Sequence, residues 1–315
     1  MKILLTGAAG FIGFHTAKAL IERGNEVVGL DNLSPYYDPK LKQARLDQLT
    51  EKPGFSFIKG DILDRDTVHQ AMQGVDRVCH LAALAGVRYA FEHPDEYIDT
   101  NIRGFFNIID EVRQQEIPGL IYASSSSVYG DTEKFPSQET DRTDSQQSLY
   151  GMTKKDNELL ARTYNHIYGV RTTGLRFFTV YGTWGRPDMA LFLFTDALLH
   201  DKPLKIFGEG KMQRDFTFVD DIVQGIVASI DKNYEYELFN LGCGRKEELM
   251  EYVRIVEQSC GKEAKKEFLP MQPGDVRTTG ADISKAKKML GFEPKTMIQE
   301  GVPQFVEWYR KYYNI

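Results

Sequence analysis

Gly7-Ala8-Ala9-Gly10-Phe11-Ile12-Gly13 directly follows an apolar run at 2–6 and opens an amphipathic stretch at 11–23. Three glycines at that spacing between a strand and a helix suit few structures. Gly7 permits a tight turn, Gly10 lets a pyrophosphate approach the backbone, and Gly13 lets the helix lie close to its sheet. The free N–H groups of the helix N-terminus then face the phosphates, with Phe11 and Ile12 in the same turn. Alone, the spacing is weak evidence; Asp31 strengthens it. It stands just after a second apolar run at 26–30 and is followed by Asn32. A carboxylate there accepts from ribose hydroxyls and repels a 2′-phosphate, which favours NAD over NADP. Asp61-Ile62, after the third run, reads either as a flank for the adenine or as a plain loop acid with its neighbour.

Apolar runs at 2–6, 26–30, 55–59, 77–80 and 120–123 alternate with helical patterns at 11–23, 40–49, 66–72 and 95–115. Strand–helix alternation of this kind predicts an α/β fold, a doubly wound parallel sheet of the Rossmann type. A long helix at about 148–168 precedes another strand at 171–175. After Arg176 the rhythm loosens. Short strands at 204–207, 216–218 and 237–241 mix with helices near 190–200, 220–230, 246–259, 283–290 and 298–311. The expected division is a dinucleotide-binding domain over 1–180, to which segments near 215–245 return, and a smaller mixed α/β substrate domain over 181–315. No linker or repeat marks the boundary.

A net charge of -6 argues against nucleic acid as a partner. It leaves anionic small molecules open, because a few local arginines suffice for them. The three cysteines fit no zinc module and are expected to be reduced, as in the cytoplasm. The six histidines include no helical pair at metal spacing, so no metal is expected. No apolar run reaches membrane-spanning length. The first residues break at glycine too early for a leader peptide.

Tyr150-Gly-Met-Thr-Lys154 places a phenol and an ammonium on one helix face. A free tyrosine, with a pKa of about 10, is a poor base at neutral pH. A neighbouring ammonium and a cationic nicotinamide favour its phenolate. Such a phenolate takes a proton from a hydroxyl while hydride leaves the carbinol carbon. Tyr36 and Lys40 have the same spacing, but Pro39 keeps them off one helical face. Upstream, Ala123-Ser124-Ser125-Ser126-Ser127-Val128-Tyr129-Gly130 brings hydroxyls to the carboxyl end of a central strand, the usual ligand crevice of such sheets.

The glycine turn, His80-Leu81-Ala82-Ala83, the serine run with Val-Tyr-Gly, and Tyr-x-x-x-Lys together resemble the extended short-chain dehydrogenase/reductases that modify nucleotide sugars. The resemblance covers nearly the whole chain. It implies NAD contacts from Leu81, Ala82, Ala83 and Asn101 as well as from the glycine turn, Tyr150 and Lys154. It also implies a catalytic set of Ser125, Tyr150 and Lys154. In that family, 4,6-dehydratases carry Asp-Glu, and decarboxylases a Glu, where this chain has Ser126 and Ser127. The pattern therefore looks like a 4-epimerase. Segments 85–89, 176–182, 184–190 and 210–216 are similar to those of UDP-glucuronate 4-epimerases, with Thr179 where galactose-type enzymes usually carry Asn. Gly151-Met152 departs from the small alanines common there.

The resemblance implies a UDP-sugar substrate with a carboxylate to be gripped. Ser126, Ser127 and Thr179 are candidates for the grip. Arg88 reads either as a charged partner or as a surface arginine. Arg214 and Arg277 match the family's pyrophosphate arginines, with Arg186 a weaker candidate. Asp275 reads either as a uridine-ribose contact or as a pair for an arginine. The helices at 95–115 and 148–168 are expected to form a homodimer contact through Ile102, Phe105, Phe106, Ile109 and Val112. Alternative readings are a 4-epimerase of UDP-glucose or UDP-N-acetylglucosamine, a UDP-glucuronate decarboxylase, and a non-catalytic NAD-binding protein on the same fold.

Overall fold

The computed structural model describes residues 1–132 and 134–315. Six strands of the main sheet arise before residue 178: β1 (Lys2–Thr6), β2 (Glu26–Asp31), β3 (Phe55–Lys59), β4 (Arg77–His80), β5 (Leu120–Ser125) and β6 (Thr172–Phe177). A seventh, Tyr236–Leu241, comes from far down the chain and pairs with β6. From that strand the order is β6, β5, β4, β1, β2, β3, with all pairs parallel. Helices cover both faces, so the central strands are apolar throughout rather than alternating; Ile3, Leu4 and Leu5 of β1 are all fully buried. The order reverses between β1 and β4. The crevice outside the carboxyl ends of the strands opens at that point.

Three helices fix this end of the sheet. The first, α1 (Phe11–Glu22), buries Phe11, Phe14, Ala17 and Leu20, a stripe at helical spacing. Against it lie Ile222 and Ile226 of the helix Val219–Lys232, whose chain leads into the seventh strand. The helix Leu149–Tyr168 starts with Ser148, whose hydroxyl accepts from Gly151 N at 3.1 Å, and stops at Gly169 in the left-handed region.

The 95–115 stretch is not one α-helix. A short α-turn, Pro94–Tyr97, passes into a π-helix, Ile98–Arg103, and then into α-helix Gly104–Gln114. The wider turn points Asn101 inward, where its amide bonds Leu84 N (2.9 Å), Leu84 O (3.0 Å) and Thr153 Oγ1 (3.1 Å). Hydrophobic periodicity cannot register an extra residue whose role is a hydrogen bond. The apolar stripe also divides: Phe105, Ile109 and Val112 are buried, whereas Phe106 is exposed.

Beyond β6 the chain forms three small pairings: Thr179–Tyr181 with Phe216–Phe218, Gln213–Arg214 with Glu247–Glu248, and Leu204–Phe207 with Lys266–Leu269. Around them Phe192, Ile206, Tyr252, Val302 and Phe305 build a second core, in which Phe216 stacks on Tyr252 at 3.9 Å. No described helix is long and apolar enough to cross a membrane.

Candidate functional site

A cavity of about 440 Å³ runs along the carboxyl ends of β1, β2, β4 and β5. At one end lies the glycine turn. Gly7 has φ +72°, and a Cβ there would sit 2.8 Å from Ala82 N; a Cβ on Gly13 would fall on the Gly7 carbonyl oxygen. Only glycine fits the cradle. Gly10 provides no side-chain cap and the first turn of α1 has no acidic residue, so its free N–H groups remain available to an anion.

Asp31 is buried at the tip of β2, where it accepts from Ala9 N (3.0 Å) and Leu33 N (2.8 Å). It therefore braces the turn as well as facing the cavity. Asn32 Nδ2 donates to Asp61 Oδ2 at 2.8 Å, and both residues line the wall with Ile62, Leu81, Ala82 and Ala83. Such a cleft, with glycine backbone at the phosphate position and a carboxylate beyond it, fits a dinucleotide.

At the other end the cavity reaches Ser125, Tyr150, Lys154 and Arg186. Tyr150 opens its helix, Lys154 lies one turn on, and Ser125 ends β5. Burial raises the Tyr150 phenol pKa; the neighbouring Ser125 hydroxyl, then the Arg186 guanidinium, oppose the rise. Arg186 is thus a cation that favours the phenolate. Lys154 Nζ is drawn to the Ala123 carbonyl at 3.0 Å, and burial brings its pKa down to about 8. Beneath them, His80 is buried against Thr6 Oγ1 at 2.7 Å; burial, helped by the Lys154 charge, lowers its pKa to about 3. Its imidazole is neutral at pH 7.

A second cavity, about 160 Å³, adjoins the first across Phe178, which lines both. Ser126, Ser127, Thr179 and Arg214 line it, together with Asp275 and Gln147. Ser125 and Ser126, adjacent in the chain, thus face different cavities. The Ser125 Oγ accepts from Ser127 N at 3.1 Å, a cap that turns the strand end into the 3₁₀ helix Ser126–Tyr129.

Four expected contacts stand elsewhere. Asn101 does not line the cavity, because its amide is taken up by Leu84 and Thr153. Arg186 lines the first cavity rather than the second, paired with Asp188 and bonded to the Ala85 carbonyl at 2.9 Å. Arg88 lines neither; half-exposed, it pairs with Asp275 at 3.5 Å and covers the Phe207 ring at 4.9 Å. The Arg277 side chain is exposed, and it is its carbonyl that accepts from Arg214 Nη1 at 3.0 Å.

Sequence reasoning passed over the cover of the first cavity. The Tyr36 hydroxyl lies within hydrogen-bonding reach of the Ala85 carbonyl and of Asp188 Oδ2 (2.9 Å), and its one proton serves either acceptor. Arg45, fully buried, donates from Nη1 to Ala9 O (3.0 Å) and from Nη2 to Trp184 O (2.6 Å). These two side chains fasten segment 184–188 over the glycine turn. The one signal available was the Tyr36–Tyr37 doublet before a proline-led helix, which spacing to Lys40 alone does not explain.

Residues 3–242 match the NAD dependent epimerase/dehydratase family. A probable UDP-glucuronate 4-epimerase of Rhizobium meliloti is 43% identical over 100% of this chain and 98% of its own. A UDP-glucuronate 4-epimerase of Arabidopsis thaliana is 46% identical over 100% of this chain and 76% of its own. The crystal structure of a UDP-glucuronic acid 4-epimerase from Bacillus cereus, in complex with UDP-glucuronic acid and NAD, superposes with a TM-score of 0.95. The two are 36% identical over 99% of this chain and 100% of that one.

Proposed function

The chain belongs to the NAD dependent epimerase/dehydratase family, and from that premise we propose that it inverts C4 of UDP-glucuronate to give UDP-galacturonate, with NAD held throughout. NAD supplies the hydride acceptor and, later, the hydride donor. Gly7, Gly10, Gly13, Asp31 and residues 81–83 hold it. Tyr150, as phenolate, takes the C4 hydroxyl proton and later returns it; Ser125 steadies the same oxygen. Between the two transfers the planar 4-keto sugar turns and presents its other face. Atoms and electrons balance over the cycle, so no outside reductant is needed.

The single observation that carries this reading is the junction of the cavities. Ser125 and Tyr150 stand at the end of one, and hydroxyls rather than carboxyls stand at positions 126 and 127 in the wall of the other, where Asp275 is paired with Arg88. The 4-keto intermediate has a carboxylate beta to its ketone and is prone to lose carbon dioxide. Ser126, Ser127 and Thr179 grip that carboxylate with neutral donors, in an orientation that disfavours cleavage. Arg214 serves the diphosphate: it is half-buried in the cavity wall, with no carboxylate within salt-bridge distance among the described residues. Arg88 and Arg277 act at most at the rim.

The same reading takes 1–180, with the strand Tyr236–Leu241, as the cofactor domain and most of 181–315 as the sugar domain. Phe106, Leu159, Ile167 and Tyr168 are exposed on the two long helices, an apolar face suited to a homodimer. The three free cysteines suit the cytoplasm.

Purified protein incubated with UDP-glucuronate and no added NAD, followed by proton NMR, tests the proposal. UDP-galacturonate is the expected product. A UDP-pentose would identify a decarboxylase instead. Turnover of UDP-glucose or UDP-N-acetylglucosamine alone would keep the mechanism and reject the substrate.

A further inference from the structure

Behind the reacting groups lies a buried polar row whose charged members, Arg176 and Glu158, line neither cavity. Ser124 of β5, Arg176 of β6 and Asn240 of the seventh strand are cross-strand partners, side by side across three neighbouring strands. Glu158 reaches this row from the helix that carries Tyr150. Its number is the reason: 150, 154 and 158 recur every fourth residue, so Glu158 shares the face of Tyr150 and Lys154 two turns further on.

The contacts are specific. Arg176 Nε and Nη2 donate to the two Glu158 carboxylate oxygens at 2.7 and 2.8 Å. Ser124 Oγ donates to Glu158 Oε1 at 2.7 Å. The third arm, Arg176 Nη1, donates to the Tyr129 hydroxyl at 2.9 Å, and that hydroxyl donates to Asn240 Oδ1 at 2.6 Å. The side chains of Arg176 and Glu158 are 1% and 2% exposed, so water does not share in the pairing. None of their polar atoms is without a partner among the described residues.

We propose that Arg176 and Glu158 are positioning residues for the reaction: their bidentate pair sets the helix that carries Tyr150 against the strand end that carries Ser125 and the turn that carries Ser126 and Ser127. Three elements must meet to within a fraction of an ångström for a proton to pass between phenol and sugar. All three are fastened to one ion pair: the helix and the turn to the Arg176 guanidinium, through Glu158 and Tyr129, and the strand to the Glu158 carboxylate, through Ser124. Packing alone does not fix the rotation of a helix about its axis so closely, because apolar contacts are not directional. A planar fork with five donors is. Neither residue lines a cavity, which separates this role from that of a group touching substrate or cofactor.

The inference rests on the proposed roles of Tyr150 and Ser125, so the test needs one readout that depends on the substrate and one that does not. Removing one partner strands a buried charge and threatens folding. The variant of choice is therefore the double one, Glu158→Gln with Arg176→Met, which removes both charges. With UDP-glucuronate, the expected result is a folded protein with bound NAD, KM within about threefold of the parent and kcat lower by about 10–100-fold, the loss typical of slight misplacement. Arg176→Lys, which keeps the charge but not the fork, should fall between. A folded double variant with kcat within about twofold of the parent overturns the proposal, as does a loss confined to KM.

The second readout is the titration of Tyr150, taken as the phenolate absorbance of each protein minus that of its Tyr150→Phe counterpart. The groups facing that phenol are Ser125 on β5, Tyr97 on the preceding short helix, Arg186 after β6, and Lys154 on its own helix. Loosening Ser125 removes a donor that favours the phenolate, so the phenol pKa should rise by about one pH unit, a tenfold change in the phenolate-to-phenol ratio. An unchanged titration overturns the positioning role. If the parent does not turn over UDP-glucuronate, the functional proposal has failed on its own, and the titration still decides this one. If the double variant does not fold, Arg176→Lys carries both measurements with the same expected and opposing outcomes.

Discussion

The two halves of the cleft are built by different means. The cofactor half is a wall of backbone: glycine, alanine and the ends of long parallel strands, with Gly7 and Gly13 so close to their neighbours that no side chain fits. The half proposed for the sugar is a wall of side chains, carried on short strands and turns such as Gln213–Arg214, Thr179–Tyr181 and Ser126–Tyr129. A backbone wall suits a partner that is always the same. A side-chain wall can be altered residue by residue without disturbing the sheet, which is how one fold comes to serve several sugars. Ser125 and Tyr150 stand where the two meet.

That contrast is open to direct attack, most severely at the junction. Tyr150→Phe should lower kcat by about 10²–10⁴-fold while bound NAD, measured after denaturing the protein, stays near one per chain. Loss of NAD as well would mean that the phenol belongs to the cofactor wall. On the sugar side, Arg214→Ala should cost about 1.5–3 kcal/mol, a rise in KM of about 10–150-fold with little change in kcat. A change confined to kcat would remove Arg214 from the diphosphate. On the cofactor side, Gly13→Ala should strain the turn by about 1–3 kcal/mol. Calorimetric titration should show weaker NAD binding, with the affinity of the reloaded enzyme for UDP unchanged. Equal losses for both ligands would erase the distinction between the halves.

The smallest effect, taken per pH unit, lies under the cofactor wall. His80 has a folded pKa near 3, below that of an exposed histidine, so between about pH 6.5 and 3 the unfolded chain binds the extra proton. Stability attributable to this neutral imidazole is complete above about pH 6.5 and falls by at most about 1.4 kcal/mol per pH unit on acidification below it. Urea midpoints measured across that range check the sign. A slope that is unchanged in a His80→Asn variant would show that His80 does not carry it.

Legibility followed the same division. Near-continuous apolar runs and obligatory glycines act locally, so β1, β2, the turn and Asp31 could be read from neighbouring residues. Ser125 and the helix at Tyr150 were legible because a strand end and an N-cap are also local features. The π-turn at Ile98–Arg103 was not, since its cause is a bond from Asn101 to Leu84, 17 residues away. Nor were the orientations of Arg88, Arg186 and Arg277: an arginine's sequence position says that a cation is present, while the distant contacts that aim it, Asp275 for Arg88 and the Ala85 carbonyl for Arg186, are settled by folds in the chain far from it. The pairing of Arg176 with Glu158 was hidden for the same reason.

The fastening of segment 184–188 over the glycine turn by Arg45 and Tyr36 has a thermodynamic corollary. A dinucleotide in this cavity lies between an N-terminal floor and a C-terminal roof, and both must be folded to bind it. Its binding free energy is therefore shared by the whole chain: at a free concentration 100 times its dissociation constant, it adds about 2.7 kcal/mol to the stability of floor and roof together. The cofactor is then a structural member as well as a reagent, and the range of temperature over which the protein stays folded depends on the supply of dinucleotide around it.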